Sequence, residues 1–320
     1  MTNLFISILN MSLVGSFVIA AICVARIFLK HSSKIFLYCL WAAAGFRLVF
    51  PFSIESIFSL IPFDTQLIPH IDGDISGGSL YAANLYSGIS FQMWATIGLY
   101  VWLAGVVFMF LYDIASWVIL KRKLKEAVNV EANIYETKII KTPFVVGIFS
   151  PKIYLPAYLT TQEQNFIILH EQIHIKRRDY IIKFVAYLIL CLHWFNPLVW
   201  LAFLLMTQDM EMSCDERVLK KLGGGTKVKK DYSRVLLSLV TKRYPMGGRA
   251  LAFINGDIKS RVKNVLSLKK QSYIVFVISM VLVIMLSIGF AVDRVSISMA
   301  DYDTSSEALD HLFFGISCCD

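Results

Sequence analysis

The sequence has no Cys-x-x-Cys pair among its six cysteines. Zinc sites built from cysteine use closely spaced pairs, so no site of that kind is indicated. Cys23, Cys39 and Cys191 lie in apolar runs, where a free cysteine serves as a small core residue. Cys318 and Cys319 are adjacent, so they do not indicate a disulfide framework either.

Basic residues are missing from residues 62–92 and occur only once after residue 292, at Arg294. Of the 31 lysines and arginines, 26 lie between Lys121 and Lys270. Membrane proteins accumulate such residues on their cytoplasmic side. The net charge of +8 is therefore attributed to membrane orientation, and no direct nucleic-acid partner is predicted.

Hydrophobic residues make up 57% of the chain, against about 45–50% in soluble domains. The apolar runs long enough to cross about 30 Å of hydrocarbon are Leu4–Leu29, Ile35–Ile61, Phe91–Leu120 and Ser272–Val292. No Lys or Arg precedes the first run, which is also too long for the core of a cleavable signal peptide. The sequence predicts a mainly α, polytopic protein with four transmembrane helices in a lipid bilayer.

The charge distribution also predicts the domains and their orientation. Residues 1–120 hold three transmembrane helices with an outer loop at 62–92, and 272–292 form the fourth helix. Residues 121–271 are then a cytoplasmic domain, and 293–320 a short extracytoplasmic tail. Both termini are expected outside the cytoplasm.

The cytoplasmic segment opens with short β-branched and aromatic runs separated by turn residues. This pattern predicts a small β-sheet, with strands near Phe144–Ile148 and Lys152–Leu155. Thr160 and Glu163 follow as a capping box before an apolar-periodic stretch. A helix is predicted from there to about Arg178.

That helix carries the sequence His-Glu-Gln-Ile-His at residues 170–174. Histidines at i and i+4 project from one helical face, so His170 and His174 can bind one Zn²⁺. Glu171 lies close enough to polarise a zinc-bound water without being a ligand itself. The pattern predicts a zinc metalloendopeptidase.

A catalytic zinc site needs a third protein ligand, which is sought in the acidic stretch 209–216. Glu211 and Asp215 stand at i and i+4, so Glu211 can bind the metal while Asp215 accepts the outer N–H of a zinc-binding histidine. Cys214 is a competing ligand, expected on a different helical face from Glu211. The weaker alternatives in the same stretch are Asp209 and Glu216.

The apolar stretch 181–206 separates the two halves of this site. If it crossed the bilayer, His174 and Glu211 would lie about 30 Å apart, on opposite sides. The stretch is therefore predicted to double back at Asn196-Pro197 as a helical hairpin. His193, beside that turn, is interpreted as a structural histidine rather than as the third ligand.

The chain also resembles a known family, the beta-lactam-sensing antirepressor metallopeptidases of Gram-positive bacteria, which are signal transducers of penicillinase and methicillin resistance. The segments that carry the resemblance are Thr142–Pro156, His170–Asp179, His193–Trp200 and Asp209–Glu216. It implies a gluzincin-like site with His170, His174 and Glu211 as zinc ligands and Glu171 as general base. It also implies a bacterial membrane protein in which an external stimulus triggers self-cleavage and inactivation of a cytoplasmic repressor.

The antibiotic sensors of that family carry a penicillin-binding domain after the last span. Here Asp293–Asp320 is expected to be too short for such a domain. Ser260–Lys263 and Ser267–Lys270 match Ser-x-x-Lys, but they lie on the predicted cytoplasmic side, and the chain has no Lys-Thr-Gly or Ser-Asp-Asn. Direct acylation by a beta-lactam is not predicted.

The resemblance implies two possible substrates, the chain itself and a cytoplasmic repressor, and a homodimer is left open. The segment Tyr244–Gly256 contains loosening proline and glycine residues around an apolar core, which places a self-cleavage site near Ala252 and Phe253. An extended substrate could add to the edge strand formed by Phe144, Val145, Val146, Gly147 and Ile148.

Other interpretations stay open. A non-catalytic, zinc-containing membrane receptor or scaffold would not need the Glu171 carboxylate. A transporter is a further alternative, because Arg26, Arg47 and Asp113 lie within or at the edges of predicted spans. An intramembrane protease is disfavoured, because the zinc helix does not lie inside a predicted span.

Overall fold

The computed structural model describes residues 2–29, 32–50, 54–55, 81–243, 251–268 and 273–293. These residues are mainly helical with a small sheet, as predicted. The helices are α1 (Thr2–Phe28), α2 (Lys34–Val49), α3 (Tyr81–Lys123), α4 (Thr161–Arg177), α5 (Asp179–Leu192), α6 (Pro197–Lys221), α7 (Thr226–Arg243), α8 (Leu251–Ser267) and α9 (Tyr273–Ala291). The strands are β1 (Ile54–Glu55), β2 (Val128–Glu131), β3 (Ile134–Thr137), β4 (Phe144–Val146), β5 (Lys152–Pro156) and β6 (Val292–Asp293).

Two helices of the described chain are long and apolar enough to cross a membrane: α1, and the Gln92–Glu126 part of α3 with the turn that follows it. The two helices differ in burial. Part of α1 is buried inside the protein, whereas the most apolar stretch of α3 is not covered by other parts of the protein. Its exposed side chains include Trp94, Phe108 and Leu111. Such a surface is stable against lipid rather than water.

Within the described residues, two of the four predicted spans are therefore matched by length and composition. The second predicted run, Ile35–Ile61, forms the 16-residue helix α2 and continues into residues that are largely outside the described part. α9 covers the fourth run, and its described apolar stretch, Phe276–Gly289, is also short for a span.

The main sheet has the strand order β2-β3-β5-β4, with β3 parallel to β5 and the outer pairs antiparallel. β4 is therefore an edge strand. Gly147 follows β4 with a φ of +109°, and a Cβ there would lie 2.5 Å from the carbonyl oxygen of Ser150, so this tight turn requires glycine. β1 and β6 form a separate parallel pair, with Ile54 opposite Val292.

The zinc-motif helix α4 begins with the capping box expected from the sequence. The Thr160 hydroxyl accepts a hydrogen bond from the Glu163 amide, and the Glu163 carboxylate accepts one from the Thr160 amide at 2.9 Å. The helix ends at Arg178, whose left-handed backbone (φ 59°) redirects the chain into α5. This break turns the apolar helix α5 away from the axis of α4.

The chain reverses between α5 and α6, where the sequence predicts the hairpin turn. Asn196 caps α6 by accepting a hydrogen bond from the Leu198 amide at 2.9 Å, and Pro197 occupies the first helical position. The Asn196 amide also donates to the hydroxyls of Ser12 and Ser16 on α1, each at 2.7 Å. The turn is thereby attached to the first helix.

Helix α6 connects two separate cores. Its apolar first half packs with α1 and α2 in a cluster that includes Trp41, Leu40 and Met206. Its second half contributes Cys214 and Val218 to another cluster with residues of α4, α7 and α8. The acidic stretch of α6 thus lies at the junction between the two cores.

The cysteines follow the sequence prediction only in part. Cys191 and Cys214 are buried and Cys23 is partly buried, but Cys39 is exposed although it lies in an apolar run. Its neighbours Tyr38 and Leu40 on α2 face the core, so residue 39 points to the other side of the helix.

Candidate metal centre

His170 and His174 lie one turn apart on α4, and both side chains are buried. Their Nε2 atoms are 3.0 Å apart, and the rings stand edge to face with centroids 4.6 Å apart. Two imidazole nitrogens aimed at one point form half of a metal-binding set.

Glu211 of α6 completes a compact group of three donor atoms. Its Oε2 atom lies 3.3 Å from Nε2 of His170 and 3.7 Å from Nε2 of His174. Two ligand atoms bound tetrahedrally at about 2.1 Å from one zinc ion are roughly 3.4 Å apart. The three atoms therefore have the spacing that a single zinc ion would require.

Cys214 also faces the histidine pair, which corrects the sequence prediction that it lies on a different face from Glu211. Donor atoms of His170, His174 and Cys214 all lie within 4.8 Å of one another. The physical reason is that residues at i and i+3 are neighbours on a helix surface.

The structure thus offers two overlapping ligand sets, with either Glu211 or Cys214 beside the two histidines. The thiol of Cys214 contacts the backbone oxygen of His170 at 3.5 Å, so it lies against the backbone of α4. The Glu211 oxygen instead faces both Nε2 atoms directly. A carboxylate already directed at both rings would need no rearrangement to share a metal with them.

The outer nitrogen of His170 is held by a hydrogen-bond chain. Tyr232 of α7 donates to Oδ1 of Asp215 at 2.6 Å, and its oxygen lies 2.9 Å from Nδ1 of His170. Because the tyrosine proton is directed to Asp215, Nδ1 of His170 donates to the tyrosine oxygen. This tautomer leaves Nε2 free to bind a metal. Oδ1 of Asp215 lies 3.3 Å from Nδ1 of His170, and Tyr232, which the sequence analysis did not identify, bridges the two residues.

His174 has a matching partner that sequence reasoning missed. Its Nδ1 atom donates to Oδ2 of the buried Asp179 at 2.7 Å. The signal was present in the sequence, because Asp179 ends the histidine-rich segment five residues after His174. Both histidines are thus oriented with Nε2 toward Glu211.

Arg261 of α8 joins the site from a distant part of the chain. Its guanidinium donates twice to Asp215, at 2.7 and 2.8 Å, and lies 3.2 Å from Oε2 of Glu211. Burial raises the pKa of Asp215, but the charge of Arg261 and its two hydrogen bonds outweigh burial and lower that pKa to about 2. No local pattern marks Arg261 or Tyr232, so the sequence alone did not identify them.

Glu171 is buried beside the histidines and lines the cavity in front of them. Burial raises the pKa of its carboxyl group, while the neighbouring His170 and His174 oppose that rise. A carboxylate with a raised pKa accepts a proton more readily near neutral pH, as a general base must.

The weaker ligand alternatives are directed elsewhere. Asp209 pairs with Arg26 of α1 and accepts a hydrogen bond from Nε1 of Trp41 at 2.8 Å. Glu216 accepts hydrogen bonds from the hydroxyl of Ser33 and the amide of Lys34 at the start of α2.

His193 lies buried at the α5–α6 turn, where Nδ1 donates to the Ile189 carbonyl at 3.1 Å.

A cavity of about 980 Å³ opens in front of the three donor atoms. The edge strand β4 contributes Phe144 and Val145, and α8 contributes Ile258 and Arg261. Its surface is largely apolar, apart from the candidate metal residues and a few polar side chains. Of the predicted edge-strand residues, Phe144 to Val146 form β4, while Gly147 and Ile148 follow it in the turn.

The predicted self-cleavage segment differs in structure from the expectation. Residues 244–250 lie outside the described part, and α8 begins at Leu251, so Ala252 and Phe253 are helical rather than extended. The reason is that the apolar residues predicted to form an extended core instead begin an amphipathic helix. Cleavage there stays a prediction, and it would require the first turn of α8 to unwind.

Comparison with known proteins gives partial but specific matches. The sequence matches the model of a protein family described as BlaR1 peptidase M56 over residues 6–265. It is 36% identical over 106 residues to the regulatory protein BlaR1 of Bacillus licheniformis, a match that covers 32% of this chain and 17% of that protein. It is 30% identical over 130 residues to the methicillin resistance mecR1 protein of Staphylococcus aureus, covering 39% of this chain and 22% of the relative. The matched segments thus span about a fifth of each relative.

Proposed function

This chain belongs to the BlaR1 peptidase M56 family, and we propose on that premise that it is a zinc metalloendopeptidase of the cell membrane. Family membership supports a metallopeptidase in a membrane protein. The ligands proposed here are His170, His174 and Glu211, with Glu171 as general base. The observation that carries the proposal is the convergence of the three donor atoms within 3.0 to 3.7 Å of one another.

The donor set fits zinc better than a harder metal. Two imidazoles and one carboxylate are a catalytic zinc set, whereas calcium and magnesium prefer oxygen ligands alone. When bound, zinc supplies a Lewis acid that polarises a peptide carbonyl and lowers the pKa of water. His170 and His174 are fixed for this role by Tyr232 and Asp179.

The protein's own residues then carry the proton. Glu171 takes a proton from the attacking water and delivers it to the amine nitrogen that leaves. Arg261 holds its positive charge within 3.2 Å of Glu211 and is placed beside the cavity, where negative charge develops during peptide hydrolysis. The apolar walls of the cavity exclude water from the charged groups, which strengthens their interactions.

The substrate is proposed to be an extended segment of polypeptide. β4 offers an unpaired edge beside the cavity, and an extended chain can add to such an edge through backbone hydrogen bonds. Phe144 and Val145 belong both to that strand and to the cavity wall. The chain itself and a cytoplasmic repressor, implied by the family resemblance, are the proposed substrates.

A signalling role is proposed on the same resemblance, with the site facing the cytoplasm. The relatives are named as a regulatory protein and a methicillin resistance protein, which supports regulation of antibiotic resistance. The excess of basic residues between Lys121 and Lys270 supports the cytoplasmic placement.

The decisive experiment compares zinc content with cleavage in Glu171→Gln. The variant should bind zinc like the parent, because the three ligands remain, and should lose nearly all proteolysis. Glu163→Gln is the matched control on the same helix, because glutamine also supports a capping box. Purified full-length protein with a peptide library as substrate gives both readouts. Cleavage by Glu171→Gln at near the parent rate would refute the assigned role.

The alternative is a non-catalytic receptor or scaffold with a structural zinc ion. The buried Glu171 beside the cavity counts against it, since a structural site has no use for this carboxylate. If the zinc-loaded parent cleaves neither itself nor any peptide, while binding zinc stoichiometrically, this alternative is favoured.

A further inference from the structure

α2 supplies hydrogen-bond donors to three carboxylates on α5 and α6 that lie near the candidate metal residues. The donors come from the start of α2 at Ser33 and Lys34, and from Tyr38 and Trp41. Ser33 and Lys34 donate from the N-terminus of the helix, through the Ser33 hydroxyl and the Lys34 backbone amide. Tyr38 and Trp41 are spaced i and i+3, so their side chains lie on one face of α2.

Each acceptor carboxylate lies close in sequence to a residue of the metal centre. Asp179 follows His174 by five residues, Asp209 precedes Glu211 by two, and Glu216 directly follows Asp215. Within the described chain, α2 is thus bonded to α6, which carries Glu211, and to Asp179 at the start of α5, which binds His174.

The most direct of these links runs through Tyr38. Its hydroxyl donates to Oδ1 of Asp179 at 3.3 Å, and the other oxygen of Asp179 accepts from Nδ1 of His174 at 2.7 Å. Tyr38 and Asp179 are both buried, so water does not replace either bond. Arg177 packs over the Tyr38 ring at 5.1 Å and lies 3.3 Å from Asp179, which further restricts the pair.

We propose that Tyr38 of α2 is a positioning residue for the zinc site, acting through Asp179 on the ring of His174. The inference rests on the proposed function, since it takes His174 as a zinc ligand. Oδ2 of Asp179 faces both Nδ1 of His174 and Nε of Arg177, while Tyr38 donates to Oδ1, so the Tyr38 bond restrains the rotation of the carboxylate from its other oxygen. That rotation determines where the imidazole holds its free nitrogen.

The consequence is that α2 is part of the metal site without touching the metal. A displacement of α2 would move Asp179 through Tyr38 and the helix carrying Glu211 through Trp41 and Asp209. Zinc affinity would then depend on the position of a helix that packs between α1, α6 and α9.

The test compares Tyr38→Phe with a matched control, Tyr187→Phe. Tyr187 also donates its hydroxyl to an aspartate, Asp113 at 2.8 Å, and in the described part of the chain that pair makes no hydrogen bond to the metal residues. Zinc release to a chromophoric chelator is measured on purified full-length protein, together with kcat and KM for a cleaved peptide. Tyr38→Phe should release zinc about 3- to 10-fold faster and lower kcat with little change in KM, while Tyr187→Phe should match the parent.

A double-mutant cycle separates positioning from general destabilisation. Asp179→Ala should speed zinc release by about 10- to 100-fold, and adding Tyr38→Phe to it should change nothing further. Unchanged zinc release in Tyr38→Phe, or an additive effect in the double variant, would overturn the inference while the proposed function stands. If the parent holds no zinc, the proposed function fails and this inference fails with it.

Discussion

Nε2 of His170 and Oε2 of Glu211 lie 3.3 Å apart, although 41 residues separate them in the chain. The intervening segment leaves α4, passes along α5 and returns through α6, so the hairpin turn at Asn196 brings the two atoms together. Because Cys214 stands one turn further along α6, the same geometry presents a second donor to the histidines.

The choice between the two donors can be tested by substitution. Glu211→Ala should weaken zinc binding by more than the 10- to 100-fold typical for loss of an outer partner, because it removes a direct ligand. Cys214→Ala should bind zinc much as the parent does. Zinc competition titrations on both variants measure the order of the two affinities.

Cobalt substitution gives an independent reading of the same choice. A thiolate bound to Co²⁺ produces a sulfur-to-metal charge-transfer band, and none is expected here, because the assigned set contains no sulfur. A strong band in the parent that disappears in Cys214→Ala would place the sulfur on the metal and displace Glu211 from the assignment.

Arg261→Met should destabilise the fold. Arg261 makes two hydrogen bonds to Asp215, whose side chain is fully buried, so its loss leaves a buried carboxylate without its cationic partner and with Tyr232 as its remaining donor. Breaking such a pair costs about 3–5 kcal/mol. Denaturant titration of the detergent-solubilised, zinc-free protein measures the change in the free energy of unfolding.

Arg234→Met is the control for that measurement. Arg234 pairs with Asp231 on the surface of α7, with 78% of its side chain exposed, and exposed pairs contribute little. Equal unfolding midpoints for Arg261→Met and the control would show that the Arg261–Asp215 pair does not hold α8 on the protease core.

The predicted orientation gives a labelling experiment. Single cysteines replace Ser79, Ser305, Lys138 and Lys227 in a background without accessible cysteines, and an impermeant thiol reagent is applied to intact cells. Ser79 and Ser305 should label, and Lys138 and Lys227 should not, because basic segments stay in the cytoplasm. Labelling at Lys227 would place the protease outside the cell.

Self-cleavage is predicted near Ala252 and Phe253. Ile258 and Arg261 of α8 line the cavity. Ala252 and Phe253 precede them by about two turns in the same helix, which places them near the proposed zinc site. Zinc-loaded protein should give a fragment that ends between residues 244 and 256, and Glu171→Gln should stay intact. Fragment termini within residues 223–230, measured by mass spectrometry, would contradict this position.

Local sequence patterns determined the elements on which the site is built. The capping box at Thr160 begins α4, the Asn196-Pro197 turn begins α6, and both are confirmed by hydrogen bonds between near neighbours in the chain. The spacing of His170 and His174 likewise needs only helical periodicity. The i, i+4 spacing of Glu211 and Asp215 also follows from helical periodicity, whereas the tyrosine between Asp215 and His170 does not.

Tertiary packing decided what surrounds those patterns. Tyr232, Arg261 and Tyr38 come from three helices whose sequences give no sign of the metal, and they meet His170, Asp215 and Asp179 only after α7, α8 and α2 pack around α4 and α6. A hydrogen bond between residues far apart in the chain depends on how helices pack, and helix packing depends on side chains spread over the whole sequence. The sequence by itself therefore determined the histidine pair and the acidic helix, while the tertiary structure determined the partners that orient them.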